Sequence, residues 1–140
     1  MNINHDFMDH WLAIDAIQNK IKKELEDVLQ AEYNLSLKEF YVLYYLSKAP
    51  GKKLRLQQLQ EMIGLSQSAL SRIVGNMEAS SCGALEKHDC TDDRRGTYTG
   101  LTDLGEKKLR GSLVAFHEIL QSSLSTVNVE RLIKQLTEGL

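Results

Sequence analysis

The sequence contains few of the residues that interrupt helices or cross-link chains. Its 140 residues include one proline, Pro50, and two cysteines, Cys82 and Cys90, and 6% of them are aromatic. Because one proline leaves room for long helices, an all-β fold is disfavoured. Two cysteines are too few for a disulfide framework, so we expect a cytoplasmic protein. There is no signal peptide and no run of about 18 apolar residues, so we expect no membrane segment.

An excess of charge of one sign is also missing. The chain has 17 Lys and Arg, 19 Asp and Glu, and a net charge of −2, which over the whole chain argues mildly against a nucleic-acid partner. Counted by segment, residues 1–45 carry 8 acids and 4 bases, whereas residues 52–95 carry 6 acids and 7 bases. The acidic excess therefore lies in the first helix, and the middle of the chain remains open to a nucleic-acid function.

Hydrophobic spacing and capping residues predict the first helices. Apolar residues recur every three or four positions from Phe7 to Val28, which predicts a helix over about 6–31. Ser36 and Glu39 form a capping box for a second helix that ends near Lys48. A short basic stretch, 52–55, precedes a third helix over 56–63.

The second half of the chain predicts a helix, a hairpin and two further helices. Ser66 caps a fourth helix that runs from 67 to about 79. Two short extended segments, 84–88 and 96–101, flank a charged tip and predict a β-hairpin. Thr102 and Asn128 cap a fifth and a sixth helix. The fold class is therefore mainly α with a small β-hairpin.

A tight helix pair followed by a hairpin is the element order of a winged helix-turn-helix. A helix fits the major groove of DNA, and a thin hairpin with an arginine at its tip fits the minor groove. The fourth helix should place Leu70, Ile73, Val74 and Met77 inward. Its outward residues are polar and nearly uncharged: Gln67, Ser68, Ser71, Arg72 and Asn76.

Two segments resemble the MarR family of bacterial transcription regulators. Residues 65–74, LSQSALSRIV, look like that family's recognition helix. Asp93-Arg94-Arg95-Gly96, followed by Leu101-Thr102 and Gly105, looks like its wing signature. The similarity covers about residues 35–110.

This resemblance implies a winged helix-turn-helix lobe over about 35–102, flanked by dimerisation helices over about 1–31 and 103–140. It implies a homodimer, and a repressor, on a pseudo-palindromic DNA duplex. Ser66, Gln67, Ser68, Ser71 and Arg72 are then expected to contact the major groove and phosphates, with Asn76 on the same face. Arg94 and Arg95 would contact DNA from the wing, and Asp93 would hold the wing arginine in place.

The segment between the fourth helix and the hairpin departs from the family pattern. Residues 79–83, ASSCG, leave about two more residues before the strand than the family has. Either the fourth helix is longer here or the entry to the strand bulges.

Cys82 and Cys90 can be interpreted as ordinary reduced thiols, and there are two alternatives. Both lie close to the wing, where oxidation would tilt the recognition element, and members of the family include thiol-based sensors. Together with His88 they would supply three metal ligands, but their spacing matches no zinc motif. We therefore expect no metal and no cofactor.

Aromatic residues concentrate around the first two helices. Core and dimer packing accounts for most such clusters. The family resemblance implies an alternative, a pocket for a small aromatic anion that releases the protein from DNA. The candidate lining is Trp11, Phe40, Tyr41, Tyr44 and Tyr45.

An enzyme is not expected, because the sequence has no phosphate-binding loop, metal-ligand cluster or nucleophile motif. The alternative to a DNA-binding regulator is a dimeric helical protein-interaction module that has lost specific DNA binding. Near-neutral charge favours that alternative, whereas Arg72 and the intact Asp93-Arg94-Arg95 segment favour DNA.

Overall fold

The fold is mainly helical with a small antiparallel sheet, as the sequence predicts. The computed structural model describes residues 6–89, 97–125 and 128–140. Six α-helices are present in these ranges: α1 (Asp6–Val28), α2 (Leu37–Lys48), α3 (Leu56–Ile63), α4 (Gln67–Glu78), α5 (Asp103–Leu124) and α6 (Val129–Glu138). None of the helices in the described ranges is long and apolar enough to cross a membrane.

Three strands form the sheet: β1 (Lys53–Arg55), β2 (Leu85–Asp89) and β3 (Thr97–Leu101). Their order is β1-β3-β2, and both pairings are antiparallel. The predicted hairpin of β2 and β3 is confirmed. Strand β1 was not predicted, because three residues are too few for an alternating pattern and the pairing partner lies more than 40 residues away in sequence.

Side chains that cap helices set most of the element boundaries. The Ser36 hydroxyl accepts a hydrogen bond from the Glu39 N–H (3.1 Å), and the Glu39 carboxylate accepts one from the Ser36 N–H (2.8 Å). Thr102 caps α5 and Asn128 caps α6 in the same way, with distances of 3.0 and 2.9 Å. These three predicted caps are confirmed, and each satisfies an amide that the first helical turn leaves without a partner.

The first helix ends differently from the prediction. Regular α-helix stops at Val28, and one wider π-helical turn, Leu29–Tyr33, leads to Asn34 in the left-handed conformation (φ 52°). This turn places Tyr33 against Gly111 of α5, where a Cβ atom would lie 2.6 Å from the ring. The long-range contact with α5 explains why hydrophobic spacing along α1 does not reveal the turn.

The segment between α4 and the hairpin forms a loop. Helix α4 ends at Glu78, and pairing of the strands begins at Leu85 opposite Leu101 and continues without a bulge to Asp89 opposite Thr97. The additional residues therefore neither extend the helix nor distort the strand. Gly83 in this loop has φ +67°, a conformation that favours glycine.

The apolar core lies between α2, α3, α4 and the sheet. We call residues 35–102 the winged-helix region, and α1, α5 and α6 the helical end. Helix α2 alone buries five residues, whereas α1 buries one, Leu25, and α6 buries none. The buried apolar side chains of the winged-helix region are Leu35, Leu37, Phe40, Val42, Leu43, Leu46, Leu54, Leu59, Leu70, Val74, Met77, Ala84 and Leu85.

Candidate nucleic-acid interface

Helices α3 and α4 form the predicted helix-turn-helix. Helix α3 ends at Gly64, whose φ of +78° is the left-handed conformation of a helix C-cap and is nearly strain-free only in glycine. Two residues later the Ser66 hydroxyl accepts a hydrogen bond from the Ala69 N–H (3.2 Å) and starts α4. The two helices are in contact, and each contributes a fully buried leucine, Leu59 and Leu70, to the same core.

Helix α4 has one buried face and one polar, exposed face. Leu70, Val74 and Met77 are buried and Ile73 is half-buried, so the predicted inward set is confirmed. The side chains on the exposed face carry amide, hydroxyl and guanidinium groups, which can form hydrogen bonds with base edges and phosphates. Only one of these side chains, Arg72, is charged. The predicted outward residues are all exposed, together with the capping residue: Ser66, Gln67, Ser68, Ser71, Arg72 and Asn76.

The hairpin lies beside α4. Asp89 is paired with Thr97, so residues 90–96 connect β2 to β3 at the end of the hairpin. The predicted wing residues Asp93, Arg94 and Arg95, and Cys90, lie outside the described residues.

The base of the hairpin is attached to α5. The Thr102 hydroxyl, which caps α5, also lies within hydrogen-bond distance of the Gly83 and Ala84 carbonyl oxygens, at 2.7 and 3.0 Å. Gly105 lets the helix approach so closely that a Cβ atom there would lie 2.2 Å from the Ala84 oxygen. A displacement of α5 would therefore be transmitted to the hairpin.

A cavity of about 290 Å³ separates α4 from the hairpin. Ser71 of the exposed face of α4 lines it together with Lys87 and Thr97 of the hairpin. The Glu78 Oε2 atom, also at this cavity, is buried and has no hydrogen-bond partner among the described residues. The cavity therefore leaves space between α4 and the hairpin.

A second cavity, of about 430 Å³, lies between α2 and α5, and we call it the aromatic cavity. Four of the five residues expected to line it do so, whereas Trp11 is 55% exposed and does not. Leu113 and Phe116 were missed because their spacing in α5 is that of an ordinary helical core stripe. The full lining is Phe40, Tyr41, Tyr44, Tyr45, Leu113 and Phe116.

Two lysines lie close to aromatic rings that line this cavity. The Lys38 ammonium is 5.7 Å from the centre of the Tyr41 ring, and the Lys48 ammonium is 5.7 Å from the centre of the Tyr44 ring. Burial is the largest of the causes that raise the pKa of Tyr41 above its ordinary 10.0, and the neighbouring Tyr45 and Glu26 raise it further. Tyr41 is therefore a neutral phenol at physiological pH and can donate a hydrogen bond.

Cys82 is a free, half-buried thiol in the loop after α4. The His88 Nε2 atom lies 3.1 Å from the Glu86 Oε1 atom. Within the described ranges, no group of three or more His, Cys, Asp or Glu side chains is placed to hold a metal ion.

Comparison with known proteins points to one family. The profile of the MarR family matches residues 33–96, which include α2, α3, α4 and β2. The HTH-type transcriptional regulator TcaR of Staphylococcus aureus, strain Newman, is 27% identical over 136 residues, which cover 93% of this chain and 87% of that protein. The TcaR of strain COL gives the same values.

Solved structures share the fold over almost the whole chain. Sco3205, a MarR family transcriptional regulator of Streptomyces coelicolor solved in complex with DNA, has a TM-score of 0.80 and 22% identity and covers 99% of this chain and 85% of its own. The transcriptional regulator BldR of Sulfolobus solfataricus has a TM-score of 0.76 and 24% identity over 99% of this chain and 96% of its own. Both likenesses extend from α1 to α6.

Proposed function

We propose that this chain, whose residues 33–96 match the MarR family profile, is a MarR-family transcription regulator that binds a pseudo-palindromic DNA site as a homodimer and represses transcription. The observation that carries this proposal is the exposed face of α4, which presents Gln67, Ser71 and Arg72 beside a hairpin. One helix in each of two successive major grooves reads such a site, with each wing in a flanking minor groove.

The proposed homodimer is supported by apolar side chains that one chain leaves exposed. In the helical end, Met8, Trp11 and Leu12 of α1, Val114 of α5 and Ile133 of α6 are each at least 43% exposed. Soluble proteins seldom leave so many large apolar side chains together without a partner. We propose that residues of about 1–31 and 103–140 form the dimer interface.

The aromatic cavity is the proposed site of the releasing signal. Its five aromatic rings, with Lys38 and Lys48 beside two of them, suit a small aromatic anion. The cavity lies between α2 of the winged-helix region and α5 of the helical end. A bound ligand would change the separation of the two α4 helices away from the repeat of about 34 Å that successive major grooves require.

Thiol oxidation is a second candidate signal. Cys82 lies in the loop that joins α4 to the hairpin, so a sulfenic acid there would disturb both elements. Peroxide treatment that leaves DNA affinity unchanged would eliminate this signal, and titration with a panel of phenolic acids tests the aromatic cavity.

Selection of bound duplexes from a random pool, followed by sequencing, tests the DNA function and identifies the site. With the selected duplex, we expect Arg95→Ala to weaken binding about tenfold or more at fixed salt, because it removes a charged contact between the wing and DNA. The stability of the dimer should be nearly unchanged. Equal affinity of this variant in a gel-shift titration would contradict the wing assignment. If the wild-type chain shows no salt-dependent binding even to bulk duplex DNA, the protein-interaction module is the better account.

A further inference from the structure

Charged and hydroxyl side chains line the cavity of about 290 Å³ between α4 and the hairpin. The pairing of β2 with β3 places Lys87 opposite Thr99, which is buried. Because side chains alternate between the two faces of a strand, Lys87 lies on the same face of β2 as buried Leu85, and Thr97 lies on the same face of β3 as Thr99. The sheet therefore contributes one ammonium and two hydroxyl groups to the cavity, from Lys87, Thr97 and Thr99.

Helix α4 contributes a carboxylate to the same cavity. The Glu78 Oε2 atom is buried and has no hydrogen-bond partner among the described residues. Ser71 lies two helical turns earlier, and therefore on the same side of α4, where it adds a hydroxyl group to the lining. A buried polar atom without a partner costs free energy, and the cost is larger if the group is charged. A ligand that donates a hydrogen bond to Glu78 would remove this cost.

Glu78 and Lys87 do not neutralise each other. Among the described residues, neither side chain has an ion-pair partner, although both line the cavity. Both also line an adjoining cavity of about 430 Å³, which shares Gly75 with the first. Glu86 lines the adjoining cavity too, but its Oε1 atom lies 3.1 Å from the His88 Nε2 atom. A carboxylate and an ammonium therefore border the same space with a gap between them.

The size and the remaining lining of the cavity limit what can bind. Pockets for small molecules have volumes of about 300–1,000 Å³, so a cavity of about 290 Å³ suits a small ligand. Leu56 and Val74 add apolar atoms to the lining. Gly75 adds no side chain, and a Cβ atom there would have no neighbour within 4 Å. Since charged groups are best matched by hydrogen-bonded groups of opposite charge, the ligand should carry an ammonium and a carboxylate on a small, partly apolar skeleton.

We propose that the cavity between α4 and the hairpin binds a small zwitterion of the free amino-acid class, with its ammonium at the Glu78 Oε2 atom and its carboxylate at Lys87. The hydroxyl groups of Ser71 and Thr97 can form further hydrogen bonds with the carboxylate. The ligand would connect α4 to the hairpin across the space that separates them. The site is distinct from the aromatic cavity, whose lining contains no acidic side chain. Binding of the zwitterion requires no DNA, so this inference does not depend on the DNA-binding function proposed above.

Isothermal titration calorimetry of the full chain with each of the standard amino acids, at neutral pH, tests the inference. For the amino acid that binds most tightly, the decarboxylated and the deaminated analogue each retain one of the two charges. We expect each analogue to bind about tenfold more weakly or worse, because each loses a hydrogen bond between charged groups. If no amino acid binds, or if either analogue binds as tightly as the amino acid, the inference is overturned.

Glu78→Gln and Glu61→Gln provide a matched pair of variants. Each removes one negative charge from a helix of the helix-turn-helix, but only Glu78 lines the cavity, whereas Glu61 is exposed on α3. We expect Glu78→Gln to weaken binding of the amino acid about tenfold or more and Glu61→Gln to leave it unchanged. Equal affinities of the two variants would contradict the assigned position of the ammonium.

Gly75→Ala and Gly75→Met test the position of the site without a change of charge. Alanine adds one methyl group to open space and should retain binding, whereas the methionine side chain would occupy the cavity and should abolish it. Both residues favour a helix more than glycine does, so α4 should remain folded, which circular dichroism checks. Binding that survives Gly75→Met in a folded variant would place the ligand elsewhere and overturn the inference.

Discussion

The winged-helix region and the helical end differ in how far one chain completes their cores. Most of the buried apolar side chains belong to the winged-helix region, where Leu43, Leu46, Leu59 and Leu70 are fully buried. In the helical end, α6 has a strongly amphipathic sequence but buries no residue. The core of the first region is completed within one chain, whereas the second leaves apolar side chains exposed to solvent.

The size of this exposed surface is energetically important. Burying one large apolar side chain stabilises a structure by about 1.5–3 kcal/mol. Trp11 and Leu12 on α1 and Ile133 on α6 are each about half exposed, so a second chain that covered them would gain several kcal/mol. A dimer would make the helical end as well packed as the winged-helix region.

The largest expected effect comes from the packed region. Leu59→Ala should lower the free energy of unfolding by about 2–5 kcal/mol, because it leaves a cavity among fully buried side chains. Met62→Ala, three residues along the same helix at an exposed position, should change it by less than about 0.5 kcal/mol. Urea unfolding followed by circular dichroism measures both, and similar losses would show that the winged-helix region does not have a tightly packed core at Leu59.

Sequence reasoning succeeds where local chemistry decides the structure. Ser36, Thr102 and Asn128 cap their helices through bonds to amides three residues ahead, so the signal lies within four residues of sequence. The faces of α4 follow from the helical repeat in the same way. These features include the polar face that the DNA-binding proposal uses.

Long-range contacts decided the features that sequence did not reveal. Strand β1 exists because β3, more than 40 residues later, supplies its hydrogen-bond partners. The π-helical turn at Leu29–Tyr33 coincides with the contact of Tyr33 and Gly111. The aromatic cavity needs Phe116 of α5 beside Phe40 of α2, at 5.9 Å between ring centres, and no local pattern predicts that pairing.

A charge placed in the helical end should separate the two regions. We expect Leu12→Asp to give a monomer in sedimentation experiments while the winged-helix region stays folded, because Leu12 is already 53% exposed in one chain. DNA affinity should fall by about a hundredfold or more, since the two half-sites can no longer be bound together. Met62→Asp, an exposed apolar position of the winged-helix region, is the control for oligomeric state and should remain dimeric. A dimeric Leu12→Asp variant would place the interface elsewhere.

Gly105 and Gly111 of α5 each lie close to another part of the chain, and we expect alanine at these two positions to change stability by different amounts. An alanine Cβ at Gly105 would lie 2.2 Å from the Ala84 backbone oxygen, so α5 or the hairpin base must move, at a cost of about 1–3 kcal/mol. At Gly111 the added atom meets the far end of the Tyr33 ring, which can rotate away. Alanine also favours the helix over glycine by about 1 kcal/mol, so Gly111→Ala should be nearly neutral. Thermal unfolding compares them, and an equal loss would show that Tyr33 is held as rigidly as the backbone.

Tyr41, where the two regions meet, should give the smallest effect. Its raised pKa means that the folded chain holds the phenolic proton more tightly than the unfolded chain does. The resulting stabilisation is fully present below the unfolded pKa, about 10, and is lost as pH rises through the higher folded value. Tyr41→Phe cannot ionise, so we expect it to lose less stability than the wild type above that pH. Urea midpoints measured across this pH range test the prediction, and parallel losses in the two proteins would show that the pKa of Tyr41 is not raised by its position between α2 and α5.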